Sequence, residues 1–257
     1  MAKKQIKMKK MISILLFTAF FAALPFAVMA EETICMPFDI GSDTAFYSDY
    51  VWRGFTLDDD PVIQPSTYIS AYGFTATFWS SFDIVSDDGV DGDEVDVTVD
   101  YTYEHELFSI SLGHTWYTFP PAHTDTQEFY LGGSVNIPVS EEVVLSPSLT
   151  WFHDYGDTDD GGAKGDYFIL DVAHSVPIPE TKVTFDVTTS VAYNNEFFIE
   201  GDGGYYLIGC GLTIPLSDNL MLNPNINYSV PFGDLEDSGD GNQDDKLYYG
   251  ASLAFTF

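Results

Sequence analysis

Val95-Asp-Val-Thr-Val-Asp-Tyr-Thr-Tyr-Glu104 is the stretch that decides the fold. Its odd positions (Val95, Val97, Val99, Tyr101, Tyr103) are apolar or aromatic, and its even positions (Asp96, Thr98, Asp100, Thr102, Glu104) are polar. Successive side chains of a strand point to opposite faces, so this period of two describes a strand with one greasy and one wet face. The same alternation runs through Val183 to Val191 and through Leu220 to Val230. It returns at the C-terminus, where Leu247, Tyr249, Ala251, Leu253, Phe255 and Phe257 share one face.

Working outward, the pattern predicts twelve strands near 39–52, 62–72, 74–84, 95–104, 107–118, 127–138, 143–154, 166–177, 182–194, 204–215, 220–231 and 246–257. Most are longer than the usual strand of a soluble protein, and long enough to cross a bilayer at a barrel tilt. The connections alternate. Those at Tyr72-Gly73, His105-Glu106, Val139 to Glu142, Ile178 to Thr181 and Leu216 to Asn219 are tight, whereas 53–61, 85–94, 119–126, 155–165, 195–203 and 232–245 are longer and rich in Gly and Asp. Short turns at one end, long loops at the other and an even strand count describe an all-β, antiparallel, up-and-down transmembrane β-barrel. A soluble β-sandwich also alternates, but over shorter strands with solvated outer faces. Aromatics near strand ends (Trp52, Phe82, Trp116, Trp151, Tyr193, Phe232) are expected to form an interfacial girdle.

The N-terminus supports export. Lys3, Lys4, Lys7, Lys9 and Lys10 precede an apolar run from Met11 to about Ala23, and Val28-Met29-Ala30 provides small residues at cleavage spacing. Residues 1–30 are therefore expected to be a signal peptide, and 31–257 a single barrel domain. Past residue 30 no apolar run is long enough for a membrane helix, which leaves the closed barrel as the way across. Cleavage removes all five of those lysines and leaves Arg53, Lys164, Lys182 and Lys246 against 40 acidic residues. Such a charge excludes a nucleic-acid partner, while 45% hydrophobic and 16% aromatic residues argue against disorder. Cys210 shares parity with Ile208 and Leu212, so it is expected to face lipid as a free thiol, out of reach of Cys35.

No catalytic, cofactor or metal site is expected. A lipid-hydrolysing barrel needs a serine within reach of a histidine. The one His-Ser adjacency among five histidines, His174-Ser175, puts the two on opposite faces of a strand. The runs Asp87 to Glu94, Asp157 to Asp160 and Asp234 to Asp245 could wrap Ca²⁺ weakly, or simply hydrate as an acidic rim. Opposite the apolar faces lie Asp96, Asp100, Glu104, Glu128, Asp171 and Asp186, the expected pore-lining acids, with Lys182 the main inward cation. Arg53 is placed with the pore-lining set, either clamping carboxylates or snorkelling at the interface beside Trp52.

Two resemblances add to this. The ending Leu253-Ala-Phe-Thr-Phe257 resembles the C-terminal signature of outer-membrane barrels, which implies handling by the barrel-assembly machinery. Ser48-Asp-Tyr-Val-Trp-Arg-Gly54, followed by Pro61, Gln64, a turn at Gly73 and Phe78-Trp79, resembles the opening of the TorF-like family of porin-type proteins. That match covers roughly residues 45–85, and the spacer Leu57-Asp-Asp-Asp60 is more acidic than the family pattern. It implies the bacterial outer membrane and a pore-like role, and supplies no substrate.

The expectation is thus a passive channel for ions or small cationic or neutral solutes, embedded in outer-membrane lipids and favouring cations. A plugged structural or adhesive barrel is the alternative, and a lipid hydrolase a more distant one. Twelve strands tilted near 40° give a backbone radius of about 12 Å, between filled small barrels and open porins.

Overall fold

A computed structural model describes residues 38–85, 93–120, 122–139, 144–157, 162–237 and 243–257. The signal segment, Cys35 and most of the acidic run Asp87 to Glu94 lie outside them, as do parts of Asp157 to Asp160 and Asp234 to Asp245. In chain order the elements are β1 (Asp39–Tyr47), β2 (Tyr50–Trp52), β3 (Phe55–Asp58), β4 (Val62–Ala71), β5 (Phe74–Asp83), β6 (Glu94–His105), β7 (Phe108–Phe119) and β8 (Thr124–Val135). They continue with β9 (Ile137–Pro138), β10 (Val144–Asp154), β11 (Asp166–Pro177), β12 (Thr184–Asn195), β13 (Asp202–Pro215), β14 (Leu220–Gly233), one helical turn α1 (Asp234–Asp237), and β15 (Lys246–Thr256).

Twelve of these strands make one closed antiparallel barrel. Going round it, the order is β1, β4, β5, β6, β7, β8, β10, β11, β12, β13, β14, β15, and the β1–β15 pairing returns to the start. The two-residue β9 extends one ladder by pairing with β10. Each barrel strand therefore has a partner on both sides, as lipid requires of a backbone that cannot bond to water.

The alternation sorts the faces. Val97, Val99, Tyr101 and Tyr103 are among the exposed apolar side chains on β6, as are Ile110, Leu112 and Trp116 on β7 and Leu247, Tyr249 and Leu253 on β15. These form the outer surface. Tyr206 and Ile208 lie there too, and the free Cys210 follows them in parity, half-buried.

Inward positions repeat one device. Tyr68 pairs with Gly41, Tyr130 with Gly113, and Tyr47 with Gly250 on the neighbouring strand. A Cβ on any of these glycines would overlap its tyrosine ring, so the missing side chain is what lets the ring lie along the wall. Gly113→Val should therefore lift Tyr130 off the wall and destabilise the barrel by about 1–3 kcal/mol, the cost of overpacking. Heat-modifiable gel mobility checks this: less of the compact form is expected at intermediate temperatures, whereas Gly133→Val, whose added Cβ meets only ordinary contact with Ser109 O, should change it less.

The structure corrects several sequence expectations. The first barrel strand stops at Tyr47 rather than 52, because the chain leaves the wall after Ser48 and Asp49. Tyr50–Trp52 and Phe55–Asp58 pair instead as a separate ribbon, where an outer loop over 53–61 was expected. Arg53 (φ 51°) and Gly54 (φ 84°) form its two-residue turn, and positive φ at both central positions is what a type I′ hairpin demands. Tyr72-Gly73 turns the β4–β5 hairpin in the same way. The connection after β7 spans only residues 120–123, shorter than the expected 119–126. Lys182 sits exposed in the turn before β12, so it is not on the wall.

Candidate functional site: a roofed lumen

The ribbon folds into the barrel at the end carrying the long connections. Tyr50 and Phe55 are each 7% exposed, which no outer loop would give them. Phe55 packs with Tyr167 of β11, Ala192 of β12, Tyr205 of β13, Phe197 from the β12–β13 connection and Leu235 of α1. Trp52, expected in the interfacial girdle, lies against this cluster, with Phe197 at 5.8 Å and Tyr117 at 5.9 Å between ring centroids. Each such buried side chain contributes about 1.5–3 kcal/mol of apolar transfer free energy, so together they form a miniature core.

Local chemistry aims these residues inward. Asn194 grips Phe197 twice, its Nδ2 donating to the Phe197 carbonyl and its Oδ1 accepting from the Phe197 N–H, each at 2.8 Å. Glu196 and Phe198 on either side have positive φ (56° and 59°), and this tight bend turns Phe197 toward the lumen. Asp154 organises the next connection, accepting from Thr126 Oγ1 at 2.6 Å and from the N–H groups of Gly156 and Ala163 at 3.0 and 2.9 Å.

Arg53, at the ribbon's tip, grips Glu128 of β8 in a bidentate pair at 2.5 and 2.9 Å. The two side chains are 9% and 1% exposed. The guanidinium lies 3.7 Å from the Phe152 ring centroid and 4.5 Å from that of Trp52, a geometry in which π-faces add to the ion pair. Tyr117 also donates to Glu128, and the Tyr167 hydroxyl donates to the Arg53 carbonyl at 2.7 Å. Burial alone would lower the Arg53 pKa, but the surrounding Tyr117 and Glu128 more than offset it, leaving the guanidinium firmly charged. At the ribbon's other end Asp49 pairs with Lys246 of β15 at 2.5 Å. Tyr50 donates to Glu94 of β6 at 2.8 Å, and burial followed by that carboxylate pushes the Tyr50 pKa well up.

Under this roof lies a cavity of about 600 Å³. Tyr50 and Trp52 of the ribbon and Tyr47, Trp79, Tyr117 and Tyr248 of the wall surround it, with Asp96, Gln64, Asn225 and Asn227 among its polar groups.

The expected pore-lining residues fall as follows. Register puts Asp96, Asp100 and Glu104 in one row on β6, with Asp96 opposite Tyr117, Asp100 opposite Gly113 and Glu104 opposite Ser109 of β7. Asp171 and Asp186 lie lower on β11 and β12, where Ser190 donates to Asp171 at 2.5 Å, and Ser175 and Thr213 donate to Asp186. Glu128 is distinct from the rest, since Arg53 neutralises it. Sequence parity missed three participants. Glu94 falls in the expected loop 85–94 although it shares parity with Asp96, Lys246 shares parity with Tyr248, and Asp49 falls within the expected first strand.

A comparison with models of known protein families finds no match, and neither does one with curated proteins. Solved structures do match. A KdgM porin is 13% identical with a TM-score of 0.52, over 85% of this chain and 99% of that one. An outer membrane channel from Pseudomonas putida F1 is 8% identical with a TM-score of 0.54, over 89% and 98%. A NanC porin is 11% identical with a TM-score of 0.50, over 85% and 98%. At such identities the likeness is one of architecture, and the architecture is the closed barrel of outer-membrane porins and channels.

Proposed function

We propose that this protein is an outer-membrane channel for passive diffusion of ions or small solutes, closed at its long-loop end by the inward ribbon. The observation that carries this reading is the polar, carboxylate-bearing inner wall around a cavity of about 600 Å³. A barrel that served only as an anchor could fill its lumen with apolar side chains. The apolar outer surface fits membrane lipid as the surrounding partner, and the TorF-like opening and the C-terminal assembly signature agree with that location.

Cation preference follows from the wall. Asp96, Asp100, Glu104, Asp171 and Asp186 face inward by register, while two of the four cations of the barrel domain, Arg53 and Lys246, are held by Glu128 and Asp49. Unbalanced carboxylates in a narrow, low-dielectric lumen concentrate cations. Across a KCl gradient the reversal potential should have the cation-selective sign and shrink when Asp96, Asp100 and Glu104 are changed to amides. An anion-selective sign in the wild type would refute the preference.

A plugged, non-conducting barrel is the second reading, and the packed roof favours it. Planar bilayers separate the two, since conductance steps support the channel and lasting silence supports the plug. The histidines lend little to a hydrolase. His174 and Ser175 diverge across the sheet, and His153 pairs with Asp166 at 3.0 Å while lying alongside Trp151.

A further inference from the structure

Glu94 and Asp96 share the inward face of β6 and are 4% and 7% exposed. Their carboxyl groups are hydrogen-bonded to each other, and Asp96 also accepts from the Thr118 N–H of β7. An ionised carboxylate can only accept, so a bond between two carboxyl groups lasts only while a proton stays on the pair. The same pair carries the ribbon, because the Tyr50 hydroxyl donates to Glu94 Oε2 at 2.8 Å in a buried contact. Tyr50 in turn leans on Trp79, the cross-strand partner of Asp96, at 5.7 Å between ring centroids. One shared proton thus stands between the wall and the roof.

No cation is at hand to replace that proton. On β5 the positions paired with Glu94 and Asp96 are Ser81 and Trp79, and Asp83 toward the rim adds only another acid. From β7 comes Tyr117, which donates to Glu128 of β8, and Glu128 already holds Arg53. The ribbon offers Tyr50 and, across its ladder, Asp58, while Lys246 is held by Asp49. Among the described residues, the groups turned toward the pair are therefore neutral or acidic, apart from an Arg53 that Glu128 neutralises. Loss of the proton to solvent leaves two negative charges side by side in a site shielded from water, where like charges repel strongly. Relief requires water to reach the carboxylates, and Tyr50 is the part of the ribbon that lies on Glu94.

We propose that Glu94 and Asp96 form a proton-operated latch. With the shared proton in place the pair holds Tyr50 and the near half of the ribbon down, and alkaline solution releases them. This rests on the reading of the ribbon as the closure of a channel, and gives that closure a control.

The test uses the full barrel refolded in detergent, with no membrane and no current. Amide protection factors across Tyr50–Asp58 are compared from mildly acidic to alkaline buffer. As ratios to the rate of a free peptide, they already divide out the chemical effect of pH on exchange. In the wild type, protection of the ribbon should fall about tenfold or more on the alkaline side, the scale of like charges at close range. Protection in β11 and β12 should hold. Asp96→Asn keeps an N–H donor for Glu94 and cannot become charged, and Glu94→Gln does the same from the other side. Both variants, shown to be folded by a heat-dependent gel shift, should stay protected throughout. Flat wild-type protection, or an equal alkaline loss in the two amide variants, would overturn the latch. Planar bilayers read the coupling separately. Release without conductance at any pH would sink the channel proposal while leaving the latch, and conductance with no alkaline release would do the reverse.

Discussion

Replacing residues 49–60 with a Gly-Ser linker of about four residues, a common hairpin length, is expected to raise single-channel conductance severalfold. The substitution is sterically reasonable because Tyr47 and Val62, the ends of β1 and β4, are direct partners across the sheet. A short connection can therefore join them without the ribbon. It removes Tyr50, Trp52 and Phe55, which with Arg53 make up the central part of the roof, and leaves the twelve-stranded wall untouched. Phe197 and Leu235 stay at the rim, so the opened pore should still fall short of an empty barrel. Planar-bilayer recordings, with a heat-dependent gel shift confirming that the variant is folded, give the answer. Wild-type conductance in the folded variant would mean that the ribbon is not the closure. Silence in both would favour the non-conducting barrel.

The second large effect concerns Arg53. Arg53→Met removes the partner of a buried carboxylate, and breaking such a pair from one side costs about 3–5 kcal/mol. Because the loss falls on a two-stranded ribbon that shares no backbone ladder with the wall, it should appear as local opening rather than global unfolding. Amide hydrogen exchange across Tyr50–Asp58 should accelerate by about a hundredfold or more, since each 1.36 kcal/mol is a factor of ten. Exchange in β6 and β7 should hardly change. Arg53→Lys keeps the charge but gives up the bidentate fork and the stacking on Phe152 and Trp52, so an intermediate rate is expected. Adding Glu128→Gln to Arg53→Met should recover part of the protection by discharging the stranded acid. Unaltered exchange in Arg53→Met would show that the aromatic packing alone holds the ribbon.

The barrel was legible because lipid outside and water inside enforce a period of two on every strand, and Val95 to Glu104 states it almost without interruption. The roof was hidden by the same rule. Tyr50-Val51-Trp52 follows β1 after only two intervening residues and looks like its continuation, so the departure at Ser48 and Asp49 left no break in pattern. The turn at Arg53-Gly54 lacks the Asn or Asp that usually marks a hairpin. Phe197 opens a run of only three apolar residues (Phe197-Phe198-Ile199) and Leu235 stands alone, in loops otherwise full of Gly and acid, too few to show any period. Composition held the available clue. Trp52, Phe55, Phe197 and Phe198 fall in or at the edges of segments expected to be exposed, and large aromatics in an outer loop point to burial elsewhere. The pairings of Arg53 with Glu128 and Asp49 with Lys246 join residues far apart in sequence, and strand parity alone could not show them.

The ribbon also has a mechanical consequence. Counted around the ring, β10 lies six strands from β1 in either direction, at the opposite pole. Arg53, carried on the segment that leaves β1, touches Glu128 of β8, Phe152 of β10 and Tyr167 of β11, the opposite pole and its two neighbours. Six residues from Tyr47 to Arg53 reach about 20 Å at strand rise, and a long side chain closes the rest of a diameter of about 24 Å. The ribbon is thus a strut, pinned at the far wall by a charge pair and near its root by Asp49 and Lys246. One cross-brace near the barrel's rim ties the opposite walls together there.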